Sequence, residues 1–223
     1  MVFTACGGAG NRIWDGEWST INWSGYVLVG GHYTHVSASW VQPSVNCSAT
    51  PTGRSAFWVG LDGSSGSKSI EQIGTEALCF HGRPFYRAWW LLYPEHPPVD
   101  YSNRVKPGDK VSASVTTDGN GHFTLILADP TEGWAKRTPA TWKKARLATA
   151  EVIVEAPSLR NGARPFPLAD FGTVSFTSAT ANGRPFSSLN GLRPVDMLPR
   201  SGKLKAVPSP IANGAFTVTW KHQ

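Results

Sequence analysis

Cysteine is scarce in this chain of 223 residues, which has only three copies. Cys6, Cys47 and Cys79 lack the spacing of a zinc site, and the six histidines show no metal-ligand pattern, so neither a metal nor another cofactor is expected. Three cysteines allow one disulfide within the chain. We predict Cys47 with Cys79, because Cys6 falls in a glycine-rich N-terminal segment that is expected to be loose.

Long apolar runs are also missing, and charged residues make up only 16% of the chain. No segment is apolar for long enough to span a membrane or to act as a signal peptide, so no membrane partner is expected. The formal charge is +6, but the basic residues are scattered rather than gathered in a dense patch, which argues against nucleic acid as a partner. Nothing resembles an assembly motif, so a monomer is expected.

Glycine and proline are abundant, with 23 and 17 copies spread along the chain, as is typical of short strands joined by tight turns. We therefore predict an all-β fold, an antiparallel β-sandwich of two sheets. Residues 1–18 are expected to be a flexible lead-in and residues 19–223 a single domain. A long exposed excursion is expected at 130–147, where a short helix over 139–147 is an alternative. Strands are predicted at 22–29, 35–43, 57–63, 69–76, 86–93, 111–116, 122–129, 150–157, 170–178 and 215–220.

The strand at 150–157 carries the first candidate for chemistry. Alternate side chains of a strand point to opposite faces, so Glu151, Ile153 and Glu155 share one face. An ordinary exposed face would also carry threonine, serine and lysine. Two carboxylates beside an isoleucine therefore indicate that one of these glutamates takes part in a reaction.

The strand at 69–76 carries the second candidate. The same alternation places Ile70, Gln72 and Gly74 on one face and turns Glu71 to the other. Gln72 is thus a neutral amide in the middle of a strand, and Glu71 is expected to be structural.

Five separated segments together resemble the glutamic peptidases, or eqolisins, in which a glutamine and a glutamate on neighbouring strands form a catalytic dyad. The segments are Asn22-Trp23-Ser24-Gly25, Trp58-Val59-Gly60-Leu61-Asp62-Gly63, Gln72-Ile73-Gly74, Tyr93-Pro94-Glu95 and Ala150-Glu151-Val152-Ile153-Val154-Glu155. The resemblance implies two curved antiparallel sheets of the concanavalin or jelly-roll type, with a polypeptide substrate across the concave sheet. It also implies an exported protein whose leader is not in this chain.

By the resemblance, Gln72 and Glu151 correspond to the catalytic pair. The residues expected to line the cleft or bind substrate are Trp23, Trp58, Asp62, Trp89 and Glu155. For Glu155, a structural salt bridge is an equal alternative to hydrogen bonds within the site. Arg87 and Leu91 depart from the pattern, since fungal members carry acidic residues at these two positions.

The function expected is acid-acting hydrolysis of peptide bonds by an activated water, without metal or covalent intermediate. Three alternatives stay open. The first is a lectin-like module that stacks sugars on its tryptophans. The second is a glycoside hydrolase that uses Glu76 and Glu151 as its two carboxylates. The third is an inactive member of the same family, which Arg87 and Leu91 make conceivable.

Overall fold

Strands dominate the computed structural model of the chain, which describes residues 3–4, 12–14, 17–64, 67, 69–159, 164–199 and 202–223. Within these residues the only helical element is a 3-10 turn at Phe186–Ser188. The strands are β1 (Phe3–Thr4), β2 (Arg12–Trp14), β3 (Glu17–Thr20), β4 (Trp23–Val29), β5 (His35–Val41), β6 (Arg54–Asp62), β7 (Ile70–Phe80), β8 (Arg83–Tyr93), β9 (His96–Asp100), β10 (Lys110–Thr117), β11 (His122–Asp129), β12 (Trp134–Thr141), β13 (Thr149–Glu155), β14 (Ser158–Leu159), β15 (Thr173–Ala181), β16 (Arg184–Pro185), β17 (Leu192–Met197), β18 (Ala206–Pro208) and β19 (Phe216–Trp220).

Hydrogen bonding arranges most of these strands in the two layers of a β-sandwich. One layer has the order β12-β11-β10-β5-β15-β19, and the other has the order β3-β17-β4-β13-β6-β7-β8-β9. The short strand β18 pairs with both β17 and β19 and so connects the layers at one edge. All of these pairings are antiparallel except that of β3 with β17, so the predicted fold class is confirmed.

The main core lies between the layers. Strands β10 and β11 alternate buried and exposed residues along their length, as expected for a sheet with one face on the core and one in solvent. Apolar side chains from both layers meet in this core, among them Val36, Trp40, Phe57, Val59 and Leu125.

The central strands of the second layer are buried on both faces. Every residue of β13 is buried, as are nearly all of β6 and β7. Their inner face joins the main core, whereas their other face packs a separate apolar cluster that includes Trp23, Trp58, Trp89, Leu91 and Ile153. We call this second face the site face, because it carries the residues singled out from the sequence.

The expectation of an exposed excursion over residues 130–147 is wrong for its middle part. Residues Trp134–Thr141 form β12, which pairs with β11 along its whole length, and no helix forms at 139–147. Pro139, where the alternative helix was to begin, lies opposite Thr124 on a strand at the edge of its sheet, where a missing N–H donor is tolerated.

The predicted flexible lead-in over residues 1–18 lies mostly outside the described part of the chain. The predicted disulfide between Cys47 and Cys79 is confirmed. No helix among the described residues has the length and apolar character that crossing a membrane would require.

Candidate active site

The register of three neighbouring strands brings the two predicted catalytic residues to one level of the sheet. Glu151 on β13 lies opposite Gly60 on β6, and Gly60 lies opposite Gln72 on β7. Residues directly opposite each other in antiparallel strands point to the same face. Gln72 and Glu151 therefore both project from the site face, with their Cα atoms two strand spacings, or about 10 Å, apart.

Gly60 leaves the space between them open. A Cβ atom at this position would lie 2.7 Å from Cγ of Gln72 and 3.1 Å from Cζ3 of Trp58. The Gln72 side chain thus occupies the volume above the glycine and extends toward the strand that carries Glu151. Glycine within a strand often marks such a close approach.

Both members of the pair are fully buried, with 0% of either residue exposed. Neither the carboxylate oxygens of Glu151 nor the amide atoms of Gln72 have a well-formed hydrogen bond to another described group. Burial raises the pKa of Glu151 well above its ordinary value, and the nearby carboxyls of Asp62 and Glu71 raise it further, while the Thr149 hydroxyl opposes the shift. A buried carboxyl that lacks strong partners favours its protonated form.

Asp62 anchors the chain that leads into β13. Its Oδ2 atom accepts hydrogen bonds from the backbone N–H groups of Arg146 and Leu147, both at 2.8 Å, and from the hydroxyl of Ser69 at 3.1 Å. Its Oδ1 atom accepts the N–H of Ala148 at 2.9 Å. Asp62 therefore fixes the start of the strand that carries Glu151, which is a positioning role at one end of the site.

Glu71 points to the opposite face from Gln72, as the alternation predicts, and lies opposite Leu61 and Leu92. It is fully buried, and its carboxylate has no well-formed hydrogen bond to a described residue. Burial raises the pKa of Glu71 well above its ordinary value, and Asp62 adds to the effect.

Glu155 takes part in hydrogen bonds within the site. Its Oε1 atom accepts a bond from Nδ2 of Asn22 at 3.2 Å, and its Oε2 atom accepts one from Nε1 of Trp58 at 3.0 Å. Burial raises the pKa of Glu155 to about 8, although its tryptophan and asparagine neighbours oppose the shift. The carboxyl is therefore neutral in acid and neutral solution, where it holds the Trp58 ring in place.

Three tryptophans cover the middle of the site face. Trp23 and Trp58 meet edge to face, with ring centroids 5.0 Å apart, and Trp89 lies at the level of Trp58 two strands away. All three rings are buried. None offers the exposed flat surface on which a lectin-like module stacks a sugar ring.

A charged network lies farther along the same face, where Glu76 is opposite Arg87. Nε of Arg87 donates to Oε2 of Glu76 at 2.6 Å, and Nη2 bonds the same oxygen. Nη1 of Arg87 donates to Oδ2 of Asp100 at 2.7 Å, and Nη1 of Arg54 lies 3.6 Å from Oε1 of Glu76. The network therefore contains two cations and two anions.

Burial and neighbouring charges shift the pKa values of Arg87 and Glu76 in this network. Burial alone would lower the pKa of Arg87, but Glu76 and Asp100 outweigh it and raise that pKa. Burial raises the pKa of Glu76, while Arg87 and Arg54 oppose that shift. Because Arg87 contacts the carboxylate through two nitrogens, we treat the pair as ionised.

The same geometry argues against the glycoside hydrolase alternative. Glu76 is four residues from Gln72 along β7, and Gln72 is two strands from Glu151, so the Cα atoms of the two glutamates are about 16 Å apart. The carboxyl groups of paired glycosidase residues lie about 5 to 9.5 Å apart, so both side chains would have to extend toward each other, whereas the Glu76 carboxylate is bonded to Arg87. Glu76 is, in addition, held by two arginines.

Three residues of the site were not singled out from the sequence. Gly60, which lies between the predicted catalytic residues, and Asn22, which bonds Glu155 across 133 residues, both stand in segments that carry the family resemblance, and this was the available signal. Asp100 joins the network only through the pairing of β8 with β9. Among the described residues, no group of three or more histidine, cysteine, aspartate and glutamate side chains could hold a metal ion.

Comparison with known proteins identifies relatives. Aspergillopepsin-2 of Aspergillus niger is 29% identical over 194 residues, covering 72% of this chain and 64% of the relative. Scytalidopepsin B of Scytalidium lignicola is 35% identical over 106 residues, covering 47% of this chain and 39% of the relative. The chain thus spans less than two thirds of the length of either curated relative.

A solved structure and a family model extend this comparison. The crystal structure of scytalido-glutamic peptidase with a transition state analog inhibitor matches with a TM-score of 0.77 at 23% identity, covering 90% of this chain and 98% of the other, which shows a shared fold. The model of the peptidase A4 family matches residues 21–220. Because that match includes nearly the whole chain and every residue of the site, the chain belongs to the peptidase A4 family.

Proposed function

We propose that the chain is an endopeptidase in which Glu151 and Gln72 activate a water molecule for attack on a peptide bond. The observation that carries this proposal is the placement of Gln72 and Glu151 at one level of the site face, on the two strands that flank Gly60, with the Gln72 side chain over the glycine. Buried polar groups normally have hydrogen-bond partners, so four unsatisfied polar atoms at one place favour a site that binds polar groups of a substrate. Membership of the peptidase A4 family supports the same reaction.

In the proposed reaction, ionised Glu151 takes a proton from a water that it shares with the Gln72 carbonyl oxygen. The resulting hydroxide forms a bond to the carbonyl carbon of the substrate, and the carbonyl oxygen becomes an oxyanion. The Gln72 amide N–H donates to this oxyanion. Glu151 then returns its proton to the amide nitrogen, the C–N bond breaks, and a carboxylic acid and an amine leave.

The pH dependence follows from the ionisation of Glu151. As a base it works only when deprotonated, and burial raises its pKa well above the ordinary value of 4.5. The rising limb of the rate is therefore expected above pH 4.5. This places the rising limb at higher pH than an exposed carboxylate would give.

The place of action and the partners form part of the proposal. The substrates are polypeptides, and the protein acts as an exported monomer. The disulfide between Cys47 and Cys79 supports export, since such bonds persist in oxidising compartments.

The test is cleavage of a reduced and alkylated protein by the wild type, Glu151→Gln and Gln72→Ala. We expect a loss of about 10³-fold or more for Glu151→Gln and of about 10²-fold or more for Gln72→Ala. Glu71→Gln is the matched control, because it changes another buried glutamate that faces away from the pair, and it should keep its maximal rate. A folded wild type that cleaves nothing between pH 3 and 8 would indicate an inactive family member. Cleavage that survives Glu151→Gln would assign the base elsewhere.

A further inference from the structure

Two exposed phenylalanines lie at the tip of the hairpin that β7 and β8 form. Phe80 ends β7 and Phe85 lies near the start of β8; they are 57% and 50% exposed, and their ring centroids are 6.2 Å apart. Leu78, which is partly buried, lies opposite Phe85. We call Leu78, Phe80 and Phe85 the aromatic tip. A cluster of exposed apolar side chains often marks a surface that binds a partner.

The aromatic tip stands on the same face of the sheet as Gln72. Leu78 and Phe80 follow Gln72 along β7 at even intervals, and alternate side chains of a strand share a face. β7 pairs with β8 without a shift of register from Ile70 to Phe80, so the alternation is not interrupted. The aromatic tip is therefore one end of the site face, and the proposed dyad lies toward the other.

The hairpin extends beyond the strands on either side of it. β6 begins at Arg54, which lies opposite Leu78, and β9 pairs with β8 only from Trp89 to Leu92. Phe80 and Phe85 thus lie past the ends of both neighbouring strands, where solvent reaches their rings. A polypeptide on the site face can contact them without displacing a strand of the sheet.

The aromatic tip is held in place before any ligand binds. His81 and Gly82 form a two-residue turn in which both φ angles are positive, at 50° and 73°, as in the turn that matches the twist of paired strands. The N–H of Cys79 donates to the carbonyl oxygen of Gly53 at 2.8 Å, and a disulfide joins Cys79 to Cys47. Groups that are already ordered lose less entropy on binding.

The distance from the dyad sets the length of substrate that can reach the aromatic tip. Along β7, Leu78 is about 20 Å and Phe80 about 27 Å from the level of Gln72. A fully extended peptide spans at most about 3.3 to 3.6 Å per residue. A substrate side chain that contacts the tip therefore belongs to a residue at least about six positions from the scissile bond.

We propose that the aromatic tip is a second binding surface for the polypeptide substrate, and that it takes an aromatic or aliphatic side chain far from the scissile bond. The inference rests on the proposed peptidase function and adds the class of substrate, which is a long, unfolded polypeptide. The occupant is the substrate because the tip continues the face that carries the dyad. Burial of the side chain against the two rings contributes binding energy in proportion to the apolar area removed from water, equally before and during the reaction. The tip therefore lowers KM and leaves kcat unchanged.

The experiment compares two synthetic peptides that share one cut site, taken from the digest of a reduced and alkylated protein. Both extend about ten residues beyond the cut through a glycine-serine linker, which is long enough to reach the tip. One ends in three apolar residues, Phe-Leu-Phe, and its twin ends in three serines. The pair is made once for each side of the cut. In the wild type, the apolar ending should lower KM by about tenfold on one side of the cut, with kcat unchanged.

Phe80→Ser and Phe85→Ser should each remove most of this tenfold difference and leave the rate on the serine-ended twin unchanged. Both side chains are at least half exposed, so the variants are expected to fold. Ile126→Ser is the matched control, because it removes an exposed apolar side chain from the other layer, and it should keep the full difference.

Three results would overturn the aromatic tip as a substrate surface. The first is an equal KM for the two endings in the wild type, and the second is the same loss of the difference in Ile126→Ser as in the tip variants. The third is a wild type that sediments as a dimer and becomes a monomer in Phe80→Ser, which would assign the tip to a second copy of the chain.

A binding measurement separates the aromatic tip from the catalytic proposal. A fluorescently labelled, reduced and alkylated protein is titrated against Glu151→Gln alone and combined with Phe80→Ser or Ile126→Ser. Phe80→Ser should weaken binding by about tenfold, and Ile126→Ser should leave it unchanged. If the wild type cleaves nothing but this difference appears, the tip stands and the proposed function fails. If the wild type cleaves but neither KM nor binding responds to Phe80→Ser, the tip fails alone.

Discussion

Gly60→Ala tests whether the open space between Gln72 and Glu151 is needed. Gly60 does not have a left-handed φ angle, so the backbone accepts alanine, and the effect comes from the added methyl group. That methyl would lie 2.7 Å from Cγ of Gln72, 3.0 Å from the carbonyl oxygen of Glu71 and 3.1 Å from Cζ3 of Trp58. The Trp58 ring is held by Glu155 and the carbonyl belongs to the sheet, so the Gln72 side chain is the group that moves.

Gly60→Ala is expected to lower both the stability and the activity of the protein. Overpacking by a methyl group costs about 1 to 3 kcal/mol of unfolding free energy, which a denaturant titration measures. A displacement of Gln72 by about 1 Å should lower kcat/KM by about 10²-fold, because catalysis depends on its orientation.

The double variant Gly60→Ala with Gln72→Ala supplies the control. Since Gln72→Ala removes the Cγ atom that the new methyl meets first, the stability cost of Gly60→Ala should fall by about 1 kcal/mol in that background. Activity should stay as low as in Gln72→Ala alone. Full activity of Gly60→Ala, or stability costs that simply add, would refute the contact between Gln72 and the space above Gly60.

Three further predictions follow from the buried carboxyls. Because burial raises the pKa of Glu155 to about 8, the folded state binds more protons than the unfolded state between about pH 4.5 and 8, and the unfolding free energy should fall as pH rises through that window. The Glu155 contribution is at most about 5 kcal/mol, so Glu155→Gln should flatten the pH dependence seen in thermal melts. Asp62→Ala, which leaves three backbone N–H groups without their acceptor, should cost about 3 kcal/mol or more in denaturant titrations, and a cost below 1 kcal/mol would contradict the anchoring role. Glu71→Gln removes a carboxyl whose ionised form raises the pKa of Glu151, so the rising limb of kcat/KM should move to lower pH, whereas an upward shift would contradict this coupling.

Which residues share a face within each strand could be predicted because strand alternation is a local property, whereas the pairing of Gln72 with Glu151 was implied only by the family resemblance. Glu151, Glu155 and Gln72 lie where the period of two places them, and Glu71 points the other way. The register between two strands, in contrast, depends on segments that are far apart in the sequence. That Gly60 stands between Gln72 and Glu151 depends on the register of three strands separated by up to 91 positions in sequence.

The contacts within the charged network could not be predicted from the sequence either. Arg87 could be recognised as a departure from the family pattern, but its pairing with Glu76 depends on the tight turn between β7 and β8. Its contact with Asp100 depends on an irregular pairing of β8 with β9. The strand at 134–141 was missed because Pro139 and scattered charges argue against a strand, whereas an edge position tolerates both.

The most direct measurement of the central claim is the pH dependence of kcat/KM for one peptide, from pH 3 to 8, in the wild type and in Glu151→Gln. The account predicts a wild-type rate that rises with a single ionisation above pH 4.5, as the buried Glu151 loses its proton. In Glu151→Gln this limb should be absent and the residual rate independent of that ionisation. The same rising limb in Glu151→Gln would contradict the assignment of Glu151 as the base.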